Sequence, residues 1–80
     1  MPEVDRIFGI RICVFSRDPL PPHFHAFYGE YEALIDIREA AVIAGGLPRR
    51  KLREALEYLA QNRNDLLETF YQLNPQLRQL

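Results

Sequence analysis

Two histidines stand one residue apart in the run Pro21-Pro22-His23-Phe24-His25-Ala26-Phe27-Tyr28-Gly29-Glu30-Tyr31-Glu32-Ala33-Leu34-Ile35-Asp36-Ile37. Side chains alternate across a β-strand, so a His-x-His pair puts both imidazoles on one face. Gly29-Glu30 supplies the turn, because glycine at the first central position is what a type II′ hairpin requires. A two-residue turn fixes the register. Tyr28 then faces Tyr31, Phe27 faces Glu32, Ala26 faces Ala33, His25 faces Leu34, Phe24 faces Ile35 and His23 faces Asp36. Phe24, Ala26, Tyr28, Tyr31, Ala33 and Ile35 form an apolar face. His23, His25, Phe27, Glu32, Leu34 and Asp36 form the other.

Two imidazoles beside two carboxylates suit three roles. His23, His25 and Asp36 have the donor types of a first-row metal site. The same three residues suit metal-free acid–base catalysis, with Asp36 orienting one ring, because histidine titrates near neutral pH. The third role is an ordinary cross-strand contact on a half-exposed face. No cofactor is assigned to the chain.

A second cluster follows in Gly45-Gly46-Leu47-Pro48-Arg49-Arg50-Lys51-Leu52-Arg53. Pro48 suits the first position of a helix, so Arg49, Arg50, Lys51 and Arg53 crowd a helix N-terminus. The helix dipole disfavours cations there, and a bound anion would reverse that cost. RNA backbone or an acidic partner protein would serve. The alternative is a solvated basic turn balanced by Glu54 and Glu57. Cys13 reads as a small strand residue, since nothing in the sequence places a base beside it.

These residues need a scaffold. Alternation predicts a strand over residues 7–15, with Phe8, Ile10, Ile12 and Val14 on its apolar face. Residues 16–22 hold three prolines and form a loop, with Asp18-Pro19 as a turn opener. The hairpin follows as strands over 23–28 and 31–37, and a weak fourth strand over 41–44. Leu52, Leu56, Leu59, Leu66, Phe70, Leu73, Leu77 and Leu80 then recur at helical spacing, interrupted at Arg63. Gln61-Asn62-Arg63-Asn64 suggests a break, giving helices over 48–61 and 64–74, separate or fused, before Pro75 ends or kinks the run. The expected fold is α+β, one domain over residues 1–80: a small, mostly antiparallel four-stranded β-meander with C-terminal helices packed on one face. The leucine stripe outruns such a sheet, so its end near Leu80 is expected to dock on another subunit.

A formal net charge of −1 argues against broad, non-specific nucleic-acid binding. No apolar run approaches the ~18 residues of a membrane span. The start of the chain lacks the pattern of a signal peptide, and a single cysteine fits a reducing cytoplasm.

Phe8-Gly9-Ile10, the string Pro21-Pro22-His23-Phe24-His25-Ala26, Tyr28-Gly29, Tyr31-Glu32-Ala33, Ile35-Asp36-Ile37, Gly46-Leu47-Pro48 and Asp65-Leu66-Leu67-Glu68 resemble the bacterial domain of unknown function DUF4160 family over nearly the whole chain. The resemblance implies a small cytoplasmic protein without an assigned activity, often paired with another small protein in arrangements that look like toxin–antitoxin modules. Phe27 departs towards a larger, apolar residue, and Phe70-Tyr71 stands near where a tryptophan is common. The expected function is a small cytoplasmic interaction module acting through the histidine face and the basic helix start. Its partner would be a small protein, a second copy of the chain, or RNA. The alternative is a small ribonuclease-like hydrolase using His23 and His25 with Asp36.

Overall fold

Alternation about the Gly29-Glu30 turn builds the centre of the molecule. In the computed structural model, which describes residues 3–78, strands β3 (His23–Tyr28) and β4 (Tyr31–Asp36) pair from Tyr28↔Tyr31 through to His23↔Asp36. Gly29 takes φ 56, the left-handed value that a type II′ turn needs at its first central residue.

The sheet has five strands rather than the expected four, all antiparallel and in sequence order. The run expected as one strand over 7–15 is two, β1 (Glu3–Ile7) and β2 (Ile10–Cys13). Phe8 and Gly9 turn the chain between them with φ 49 and 78. Positive φ at both central residues is the type I′ geometry that matches strand twist. Phenylalanine at the first of these positions hid the turn inside an apolar run. β5 (Ala41–Gly46) adds the far edge, pairing Asp36↔Ala41 and Ala33↔Gly45 with a bulge between.

One face of the sheet needs a cover, and a single helix, α1 (Arg49–Leu73), supplies it. Ile10, Ile12, Val14, Phe24, Ala26, Ala33, Ile35 and Ile37 meet Ala55, Leu59, Leu66 and Phe70 of α1 in one buried cluster. The helices expected over 48–61 and 64–74 are thus one element bent at Asn62, whose φ of −132 and ψ of 21 are non-helical. The Asn62 side-chain amide donates to the Tyr58 carbonyl at 2.9 Å and so satisfies a backbone acceptor beside the bend. α1 stops at Leu73, two residues before Pro75, and a short 3-10 helix (Pro75–Leu77) follows. Leu80, where the stripe was expected to dock on another subunit, lies outside the described residues.

Asn74 closes the fold. It is fully buried, and its side chain ties the helix end to the far loop. Nδ2 donates to the carbonyls of Phe15 and Phe70, each at 3.0 Å, and Oδ1 accepts the Asp18 amide at 3.1 Å.

Candidate functional site

The hairpin register sets His23 and His25 on the same side of β3, opposite Phe24 and Ala26. That side is not the half-exposed face expected. His23 is only 4% exposed, and its ring lies 5.7 Å from that of Phe70 on α1. At the start of β3 the helix end and the loop over residues 16–22 close around it.

That loop brings in a carboxylate. Asp18 Oδ2 lies 3.2 Å from His23 Nε2 and 3.1 Å from His25 Nε2. The outer ring nitrogens are held too. His23 Nδ1 contacts the Pro21 carbonyl at 2.8 Å, and His25 Nδ1 contacts Glu32 Oε2 at 3.0 Å. His25 is further fixed by Phe15, edge-on at 4.6 Å, and Phe27, stacked at 6.1 Å. Asp18 is anchored through its own amide by Asn74.

Asp36 does something else. It faces His23 in the register, but its Oδ1 accepts the amides of Arg38 and Glu39 at 2.8 and 2.9 Å. Its carboxylate shapes the turn into β5, as aspartates commonly do, and no hydrogen bond joins it to either imidazole among the described residues. The expected trio of His23, His25 and Asp36 is replaced by His23, His25 and Asp18, with Glu32 behind His25. Asp18 reads in sequence as a turn residue. Its one signal is its place in a proline-rich loop running directly into His-x-His.

Cys13 pairs opposite His25 and is buried. Burial pushes its thiol pKa above the ordinary value, while the positive charge of Arg11 pulls the other way. The residue is a packed side chain rather than a poised nucleophile.

The basic cluster is only partly available. Lys51 Nζ donates to the Phe8 carbonyl at 2.9 Å, pairs with Glu54 at 3.0 Å and lies over the Tyr28 ring. Arg50 stands 3.8 Å from Glu54. Arg49 and Arg53 are exposed and engage no ion pair among the described residues. α1 has neither a side-chain cap nor an acidic residue in its first turn.

The cleft beside the cluster, about 440 Å³, is lined by Leu20, Pro21, Pro22, Asp36, Arg38 and Glu39. None of Asp18, His23 or His25 opens into it.

The chain is thus a two-layer α+β domain, an antiparallel five-stranded meander under one bent helix with a half-buried His–Asp–His cluster at one end. It belongs to the family described as domain of unknown function (DUF4160), whose model matches residues 9–70. Nothing among curated proteins or solved structures matches the chain. No described helix is long and apolar enough to cross a membrane.

Proposed function

We propose that the chain is a small cytoplasmic interaction module, one half of a toxin–antitoxin-like pair, that binds its partner by accepting a strand along β5. The carrying observation is the state of that strand. Among the described residues β5 is the last strand of the sheet and pairs only with β4. Val42 and Ile43 are 37% and 48% exposed, and Ala41–Gly46 carries no charge. Natural edge strands are usually blunted by charge, proline, a bulge or cover; β5 has a bulge but no charge or proline, and such an edge remains a template for an added strand. Arg49, Arg50 and Arg53 follow directly after it, so the occupant that fits is an extended, acidic segment of a partner protein.

A soluble peptide alternating valine and glutamate tests this. Its addition should shift the amide resonances of β5 and the start of α1, and salt should weaken the effect. Ile43→Glu should abolish the shifts, and Arg49→Glu with Arg50→Glu should reduce them, with the fold intact in both. No shifts along β5 would sink the reading, and a salt-insensitive doubling of mass would give the edge to a second copy instead.

The convergence of His23 and His25 on Asp18 favours a second reading, a ribonuclease-like hydrolase. The burial of His23 and the separation of both rings from the cleft weigh against it. Turnover of RNA that disappears in His25→Ala would establish it.

A further inference from the structure

The contacts around the two imidazoles bring three ligand-type atoms together. A carbonyl oxygen only accepts, so His23 Nδ1, at 2.8 Å from the Pro21 carbonyl, is the protonated nitrogen of its ring. His25 stands between two carboxylates, with Nδ1 3.0 Å from Glu32 Oε2 and Nε2 3.1 Å from Asp18 Oδ2, so either nitrogen of a neutral ring can carry the proton. His23 Nε2 is then free to act as a ligand, and so is His25 Nε2 in the tautomer that donates to Glu32. Both Nε2 atoms aim at one oxygen, Asp18 Oδ2, at 3.2 and 3.1 Å. With His25 in the tautomer that donates to Glu32, three ligand atoms face one another where the His23 and His25 side chains are only 5% and 13% exposed. A cation would satisfy all three at once.

We propose that Asp18, His23 and His25 bind one divalent first-row metal ion of the zinc class. The three donor atoms lie within 4.8 Å of one another. The two nitrogen–oxygen separations are close to the ~3.3 Å edge of a tetrahedron with ~2.0 Å metal–ligand bonds. Two imidazole nitrogens and a carboxylate suit zinc, iron(II) or cobalt(II), whereas calcium and magnesium prefer oxygen alone. The outer contacts are those of metal-binding histidines, whose second nitrogen donates to a carbonyl or carboxylate that fixes the ring. Here Pro21 and Glu32 fill those roles. Phe15 and Phe27 hold the His25 ring, and Asn74 holds the backbone of Asp18. Three protein ligands leave one position of a tetrahedron for water or another donor, and Asp18, at 23%, is the most exposed of the three side chains. This proposal stands apart from strand addition at β5 and from RNA hydrolysis.

Cobalt(II) alone, added to chelator-treated full-length protein, is the probe. Visible d–d absorption should grow to one ion per chain, zinc(II) should displace it, and zinc(II) should raise the thermal midpoint. Asp18→Asn keeps the size of the side chain and the backbone bond to Asn74. It should weaken cobalt(II) binding by at least about tenfold and remove the zinc-dependent rise in melting. His25→Gln should do the same and guards against a folding artefact in either variant. Cys13→Ser should leave the spectrum unchanged. Absence of d–d bands in the wild type would overturn the proposal and give the cluster to protons. Equal binding by wild type and both ligand variants, or loss of the spectrum in Cys13→Ser, would overturn it by placing the ion elsewhere.

Discussion

The loop over residues 16–22 and strand β5 flank the same hairpin and are held in opposite ways. The loop has no ladder. It is fixed by side chains: Asn74 takes the Asp18 amide and the Phe15 carbonyl, and Asp18 reaches both histidines. β5 has a ladder on one side and no buried side chain. Irregular backbone must find polar partners one by one, so the chain concentrates its buried polar groups there. Regular backbone needs none, so β5 stays apolar and open. On the readings proposed above, the closed region would hold a small cation and the open one would receive another chain.

Disrupting the closed region should cost most. Asn74→Ala orphans the Asp18 amide and the Phe15 carbonyl, at ~1–3 kcal/mol for each unsatisfied group. A loss of about 3 kcal/mol in urea unfolding is expected, a large share of the ~4–12 kcal/mol typical of a domain this size. Amide exchange should quicken across residues 16–22 and leave β5 unchanged. A variant as stable as wild type would show that the loop is held by something other than Asn74.

The open region should break more cheaply and by a different route. Gly45 sits at φ 70, and a Cβ there would collide with the Glu32 carbonyl oxygen. Gly45→Ala should cost at least about 2 kcal/mol, since left-handed geometry disfavours a side chain by ~1–2 kcal/mol and the backbone collision adds to that. Its exchange signature should be the reverse, with β5 loosened and the loop protected. Uniform loosening in either variant would erase the contrast between the two regions.

The smallest effect is kinetic. Burial raises the pKa of Cys13, so less thiolate is present at any pH near neutrality than in the unfolded chain. Iodoacetamide should therefore modify the folded protein more slowly than the unfolded one. The sign of the linkage follows: at pH above the unfolded thiol's pKa the folded chain binds more protons, so this group's contribution to stability declines as pH rises. Asn74→Ala should speed alkylation and Gly45→Ala should not, because Cys13 pairs with His25 on the closed side. Equal rates in folded and unfolded chains would show that Cys13 is not shielded.

What could be read in advance divides along the same line. The pairing from Tyr28↔Tyr31 to His23↔Asp36 was legible because one glycine and strict alternation determine it. The bend at Asn62 was legible because polar residues interrupt a leucine stripe. β1 was not, because its turn is built on Phe8, a residue that reads as strand. Asp18 was not, because a loop has no period, and its partners Asn74 and His25 are found only in three dimensions. Asp36 misled for the converse reason: register puts it opposite His23, but local amides claim its oxygen.

Asn74 also imposes an order in time. It joins the Asp18 amide across 56 positions of the chain, a long loop to close. The hairpins need only their neighbours and can form while synthesis continues. The histidine cluster needs Asp18 in place, and Asp18 is anchored only once the end of α1 has emerged and docked. A nascent chain would thus carry formed hairpins and an unassembled cluster until the last turn of α1 has left the ribosome. Whatever the cluster binds, it would bind only after the end of α1 has docked.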